Sequence, residues 1–225
     1  VQGPLAPLPE VRNIIAIASG KGGVGKSTTA VNLALALSRQ GASVGILDAD
    51  IYGPSQPKML GLSGQRPETR DGKSFEPLEA HGLQANSAGF LVDEQTPMIW
   101  RGPMVTQALN QLAFTTNWRD LDYLLVDLPP GTGDAQLTLT QQAPLAGAII
   151  ITTPQDIALL DARRGLRMFE KVDVRILGIV ENMSTHVCSA CGHEDAIFGS
   201  GGGESLAEET GAPLLGQLPL AAQIQ

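Results

Sequence analysis

Short apolar runs rich in β-branched residues recur along this chain, and most are followed by a longer stretch with helical spacing. The runs Asn13–Ala18, Ser43–Leu47, Leu83–Asn86, Tyr123–Asp127, Ala148–Thr152, Ile176–Glu181 and Leu214–Gln217 predict strands. The stretches Lys26–Gln40, Pro54–Leu60, Met104–Thr115, Asp134–Gln142, Ile157–Glu170 and Gly203–Thr210 predict helices. Ala30, Leu33, Ala34 and Leu37 fall on one stripe of the first helix, and Gly41 follows it as a C-cap. The alternation predicts an α/β fold: a mostly parallel twisted sheet of about seven to eight strands with helices on both faces. Gly61–Ser74 is polar and reads as a surface loop ending in a small hairpin through Phe75–Leu78. Thr185–Gly203 is the other irregular stretch.

Composition narrows the class. The chain has 225 residues, 43% of them hydrophobic and 17% charged, enough for one α/β domain over residues 13–225. Residues 1–12 start with a proline-rich, uncharged run and read as a linker or the remnant of an N-terminal region. The chain does not begin with Met, so more sequence is expected before it. No signal peptide is visible, and no apolar run approaches the roughly 20 residues that span a bilayer. A cytoplasmic protein without a membrane partner is expected. The formal net charge of −8 argues against a sequence-independent grip on nucleic acid.

The most specific chemistry lies between the first strand and the first helix. Gly20-Lys21-Gly22-Gly23-Val24-Gly25-Lys26-Ser27-Thr28 fits G-x-x-x-x-G-K-[ST], with a second lysine inside the loop. Gly20, Gly22, Gly23 and Gly25 are expected to take positive φ and turn backbone N–H groups toward an anion. Lys26 reaches the β- and γ-phosphates in such loops, the Ser27 hydroxyl can ligate Mg²⁺, and Thr28 supports the α-phosphate. The loop therefore predicts binding of a nucleoside triphosphate. Lys21 hints at a dimer.

Ligands of open α/β sheets sit at the carboxyl ends of the strands. Asp48 and Asp50 close one strand and Asp127 another. Asp127 and Asp48 are candidate Mg²⁺ partners, directly or through water. Asp50 is the candidate for positioning or deprotonating the attacking water, although sequence separates the roles of Asp48 and Asp50 only weakly. Gly131–Asp134 reads as a hinge that senses the γ-phosphate. Asn182 closes the strand ending Ile179-Val180-Glu181, and its amide suits an adenine edge; a plain turn residue is the alternative there.

The two cysteines, Cys188 and Cys191, are spaced C-x-x-C and flanked by His186 and His193. Two thiolates leave a metal half-coordinated, and three readings stay open. Two chains pool four cysteines around one [4Fe–4S] cluster; the histidines complete a Zn²⁺ site in one chain; or the pair is a redox dithiol. The dithiol fits least well, because the motif does not open a helix.

Taken together, these motifs resemble a family. The phosphate loop is similar to that of the MinD/ParA/nitrogenase iron protein class of P-loop ATPases. Asp48-Ala49-Asp50-Ile51-Tyr52-Gly53-Pro54-Ser55, Trp100-Arg101-Gly102-Pro103-Met104, Asp127-Leu128-Pro129-Pro130-Gly131-Thr132-Gly133-Asp134, Glu181-Asn182-Met183-Ser184, Cys188-Ser189-Ala190-Cys191-Gly192 and Ile197-Phe198-Gly199 resemble the Mrp/ApbC iron–sulfur cluster carriers. The resemblance runs from Asn13 almost to the end. It implies a homodimeric, slowly hydrolysing ATPase that holds a [4Fe–4S] cluster between subunits, on Cys188 and Cys191, and passes it to apo iron–sulfur proteins, in contact with cluster-assembly scaffolds. It implies that Lys21 crosses to the partner's nucleotide and that Asn182 meets adenine. Family members continue past Gln225; the chain stops near Pro219, close to where their adenine pocket is finished, so a truncated C-terminus is expected. The rival is a MinD- or ParA-like spatial switch, which needs an amphipathic tail or a basic DNA-binding face; neither is visible. An electron donor like the nitrogenase iron protein is disfavoured, because its cluster cysteines are far apart in sequence.

Overall fold

Runs of Val, Ile and Leu that are buried on both faces become the central strands. The computed structural model describes residues 8–69, 72–91 and 102–221. Trp100 and Arg101 lie outside them, as do residues 1–7 of the proline-rich start. The chain packs as two compact units: one holds the chain up to Ile17, Ser27–Pro129 and Gly133–Ala146, the other Ala18–Lys26, Pro130–Thr132 and Gly147 onward.

The first unit contains strands β1 (Val11–Ser19, its last residues in the second unit), β2 (Val44–Asp48), β3 (Leu78–Ala80), β4 (Leu83–Ser87) and β5 (Leu121–Asp127) in the order β3-β4-β2-β5-β1. All neighbours are parallel except β3 and β4. All five residues of β2 are buried, as expected of a parallel strand covered on both sides. Its helices are α1 (Lys26–Arg39), α2 (Gln56–Met59), α3 (Gly102–Thr115) and α4 (Asp134–Gln142). α1 ends as expected: Gly41 takes φ +94°, Gly41 N–H bonds Ser38 O, and Ala42 N–H bonds Leu37 O. The registers matter most for function. Asp48 pairs with both Ser87 and Asp127, so three polar residues end at one level of three adjacent strands.

The second unit contains β6 (Leu145–Thr152, its first two residues in the first unit), β7 (Ile176–Val187), β8 (Glu194–Asp195) and β9 (Leu214–Leu220) with α5 (Asp156–Lys171) and α6 (Gly202–Thr210). β7 pairs parallel with β6 and β9 and antiparallel with β8. Ala158, Leu159, Ala162, Leu166 and Phe169 form the buried stripe of α5.

The fold class is as expected; most elements begin or end within three residues of the expected bounds, and four differences bear on the reading. Nine strands are present among the described residues; the two unforeseen ones, β3 and β8, are short hairpin partners with little apolar signal of their own. β7 does not end at Asn182. β9 pairs with it as far as His186, and β8 pairs with His186 and Val187, so backbone pairing carries a polar segment that side-chain pattern does not mark. The hairpin expected through Phe75–Leu78 lies further on. Its turn, His81-Gly82, has φ of 54° and 78°, which suits a two-residue reversal, while Phe75 bridges to Thr116. α2 is only four residues long and follows Ser55.

Candidate functional site

In the first unit the carboxylates gather around Asp48. Its Oδ2 accepts from Ser55 N–H at 2.9 Å, Gln56 N–H at 3.0 Å and the Ser87 hydroxyl at 3.1 Å, and its Oδ1 accepts from Asp50 N–H at 3.1 Å. Asp48 thereby fixes the turn that carries Asp50 and the start of α2. Burial, with the Asp127 charge beside it, pushes the Asp48 carboxyl up to about 7, against the backbone N–H groups of Gln56, Asp50 and Ser55, which pull it down. Asp50 is buried, and its Oδ1 accepts from Gly53 N–H at 3.1 Å. Asp127 is fully buried.

A residue that sequence reasoning passed over joins these groups. Gln56 donates its Nε2 to Ser27 O and to Asp127 Oδ2, each at 3.0 Å. Ser27 (through its carbonyl) and Asp127 are thus brought together through one side-chain amide, and the backbone N–H of the same residue holds Asp48. Its only signal in the sequence was its place just after the Asp48–Ser55 motif. Gln56 Oε1 and Ser55 Oγ are buried with no hydrogen-bond partner among the described residues. An acceptor left so costs on the order of 1–3 kcal/mol. The donor set is all oxygen, from a hydroxyl and carboxylates, with an orphaned acceptor beside it. That chemistry fits Mg²⁺, which takes few protein ligands and keeps its waters.

In the second unit the phosphate loop is held on two sides. Ser19 Oγ donates to Lys21 O at 2.8 Å, and Gly131 N–H donates to Ser19 O at 2.9 Å, tying the hinge candidate to the strand end before the loop. Only Gly23 and Gly25 take positive φ, 81° and 82°; the same expectation for Gly20 and Gly22 is not met. Gly20 is needed for a different reason: a Cβ there would lie 2.1 Å from the Asp161 carbonyl carbon of α5. Lys26 is buried at the start of α1, and Lys21 is half-buried. Thr28 lies in the first turn of α1, where its carbonyl accepts from Asn32.

Asn182 Nδ2 donates to Val24 O at 3.0 Å, so the adenine candidate touches the loop itself. Leu218 pairs with Asn182 in the β7–β9 register, which sets Pro219 one residue further along β9; Ser184 Oγ bonds Leu218 O at 3.1 Å. Met183, between Asn182 and Ser184, has φ +56°, unusual for a side chain of its size. The neighbouring Glu181 was quoted only as part of a motif. It is buried, accepts from Gly203 N–H at the start of α6, and accepts from Gln217 Nε2 at 3.0 Å.

Cys188 and Cys191 sit in the tight turn of the β7–β8 hairpin, closed by Cys188 N–H to His193 O and Gly192 N–H to Cys188 O, both 2.9 Å. Gly192 supplies the positive φ, 72°. Backbone N–H groups of Ala190 and Cys191 and the Cys191 thiol bond the Cys188 sulfur and hold its thiol below the ordinary value, against desolvation and the Asp195 charge. Neither cysteine is joined in a disulfide, and Cys191 is exposed. His193 bonds Asp195 at 2.9 Å, and among the described residues no group of three His, Cys, Asp or Glu side chains is arranged to hold a metal. Among the described residues the zinc reading therefore has no assembled single-chain site. No helix among the described residues is long and apolar enough to cross a membrane.

Comparison with known proteins bears on the same features. The family model ParA, described as NUBPL iron-transfer P-loop NTPase, matches residues 10–225. The chain is 61% identical over 225 residues to an iron-sulfur cluster carrier protein of Pseudomonas fragi, covering 100% of this chain and 78% of that one. It is 63% identical over 210 residues to the iron-sulfur cluster carrier protein of Escherichia coli K12, covering 93% of this chain and 57% of the relative. The chain thus spans little more than half the length of that relative. Among solved structures, a nucleotide-binding protein from Archaeoglobus fulgidus in complex with ADP superposes with a TM-score of 0.84 at 36% identity, over 96% of this chain and 85% of that one.

Proposed function

The chain belongs to the ParA family of NUBPL iron-transfer P-loop NTPases, and from that premise we propose that it is an ATP-hydrolysing carrier of a [4Fe–4S] cluster. The cluster is cargo, held between two copies of the chain by Cys188 and Cys191 of each, and is delivered to apo iron–sulfur proteins in the cytoplasm. The names of the relatives support carriage and give no support to a MinD-like positioning switch. The observation that carries the reading is the cysteine hairpin. One chain presents two thiols in a turn whose N–H groups favour the thiolate at Cys188, and it supplies no third ligand among the described residues. A Cys₄ centre then needs a second copy.

Nucleotide chemistry falls to the loop and the carboxylates. Backbone N–H groups of residues 20–28 cradle the phosphates, Lys26 balances their charge, and Lys21 reaches the nucleotide of the second copy. Ser27 and Asp127 would hold Mg²⁺, with Asp48 organising the turn beside them; the ion, when bound, would neutralise phosphate charge. Asp50 orients the attacking water and takes its proton. Asn182 keeps its amide N–H on Val24 O and offers its carbonyl oxygen to the amino group of adenine. Because Asn182 lies on β7 and Cys188 directly follows the end of that strand, a change at the loop is transmitted along one strand to the hairpin, with the Met183 irregularity between them.

The test is anaerobic reconstitution followed by iron and sulfide analysis, mass determination and transfer to an apo iron–sulfur protein. The parent should hold about four irons per two chains. Cys188→Ser and Cys191→Ser should each lose them while binding ATP normally. Lys26→Ala should bind ATP and transfer cluster poorly. Normal iron content in Cys188→Ser, or a monomer with a full complement of iron, would end the proposal.

A further inference from the structure

Gln56 donates three hydrogen bonds, its backbone carbonyl accepts one from Leu60 N–H, and its side-chain oxygen is left vacant among the described residues. Its backbone N–H holds Asp48 Oδ2, and its Nε2 holds Ser27 O and Asp127 Oδ2. Those partners fix which way the amide points, because turning it end for end would aim a carbonyl oxygen at two acceptors. Oε1 therefore faces away from both, in a residue that is 1% exposed, with no donor among the described residues. Buried acceptors of this kind are nearly always satisfied, so a donor from outside the chain is implied. The surroundings say which donor. Asp48 and Asp127 place two carboxylates beside the amide, and Ser27 stands next to Lys26 at the end of the phosphate loop. A cation that keeps most of its waters on binding brings strongly polarised O–H donors to such a place.

We propose that Gln56 is a positioning residue for hydrated Mg²⁺ at the nucleotide site. Nε2 holds the Ser27 backbone and one oxygen of Asp127 in place, and Oε1 accepts a hydrogen bond from a water that arrives with the ion. This rests on the reading of the site as a Mg²⁺–nucleotide site and adds the residue that orders its ligands. Glutamine suits the position because one planar amide donates to two acceptors on one side and accepts on the other. A carboxylate there would repel Asp127, and an apolar side chain would remove this donor from Ser27 O and Asp127.

The experiment is a Mg²⁺ titration of fluorescent-ADP binding to the parent and to Gln56→Met, which keeps length and bulk but cannot donate or accept as the amide does. ADP affinity without Mg²⁺ should agree within about twofold, and melting should show a folded variant. The Mg²⁺ concentration at half-effect should rise about tenfold or more. A folded variant whose half-effect concentration stays within twofold of the parent overturns the proposal, as does one that only loses stability or only slows hydrolysis. A crystal structure of the parent with Mg²⁺ and ADP gives an independent reading: a water within about 3 Å of Oε1 supports the proposal, and a dry Oε1 overturns it. If the parent binds no nucleotide, the nucleotide-site reading falls and this proposal falls with it. If the parent binds Mg²⁺–ADP and the variant responds identically to Mg²⁺, only the placement of Gln56 is wrong.

Discussion

The four glycines of the phosphate loop should respond to alanine by very different amounts, because each is glycine for a different reason. At Gly22 the new carbon meets nothing nearer than the Pro130 ring at 4.0 Å, and φ is not positive. Gly22→Ala should keep stability within about 1 kcal/mol of the parent, helped by the restricted unfolded chain. At Gly23 nothing lies within 4 Å, but φ is +81°; the left-handed backbone costs about 1–2 kcal/mol with a Cβ. At Gly25 the same strain is joined by the Asn182 amide, 2.1 Å from the new carbon. That amide can swing away, at the loss of its bond to Val24 O, worth about 0.5–1.5 kcal/mol. The total at Gly25 is about 1.5–3.5 kcal/mol. At Gly20 the carbon would sit 2.1 Å from Asp161 C, 2.3 Å from Asp161 O and 2.6 Å from Ala162 N. These are backbone atoms of α5 and cannot rotate aside, so helix or loop must move, at about 3 kcal/mol or more. Urea unfolding of the four variants without nucleotide should rank them 22, 23, 25, 20 in rising cost. A Gly20→Ala variant milder than Gly23→Ala would show that close approach to α5 is not what requires glycine there.

Three further outcomes can be checked by unfolding experiments. Asp48 titrates at 3.8 unfolded and about 7 folded, so its contribution to stability is complete below pH 3.8 and is lost as pH rises through 7. The loss is about 1.4 kcal/mol per unit and about 4 kcal/mol across the window; the difference between parent and Asp48→Asn from pH 4 to 8 should trace it, and a flat difference would contradict it. Met183→Val should melt lower than Met183→Gly by about 1–2 kcal/mol, since φ +56° penalises a β-branched side chain most; equal melting would remove the case for strain at the irregularity of β7. Glu181→Ala should cost about 2–3 kcal/mol, because Gly203 N–H and the Gln217 amide lose their buried acceptor. A loss under about 0.5 kcal/mol would mean that water replaces the carboxylate.

The sequence was most legible where chemistry constrains residue type and spacing together. The phosphate loop, the strand-terminal aspartates and the C-x-x-C pair each occupy the kind of place expected: a strand-to-helix turn, the carboxyl ends of parallel strands, an irregular segment after a strand. Strands were legible where burial is two-sided, as in β2, and illegible where pairing alone holds them, as in the Asn182–Val187 half of β7. The uniform expectation of positive φ for the loop glycines failed because two different constraints, backbone angle and helix approach, select the same residue.

What stayed hidden has a common physical cause. Gln56 meets Asp127 across 71 positions, Glu181 meets Gln217 across 36, and Asn182 meets Val24 across 158. Each is a polar side chain satisfied by a partner that only the strand order brings near. A local window sees Gln56 as one polar residue in a turn. Its role exists because β2 and β5 pair in the register Asp48 to Asp127, which sets the start of α2 beside both. Residues that perform chemistry are constrained by what they touch in a ligand and so resemble one another between proteins. Residues that position them are constrained by a particular register, and a one-residue slip of β5 against β2 would remove Asp127 from Gln56 while leaving every motif in the sequence intact.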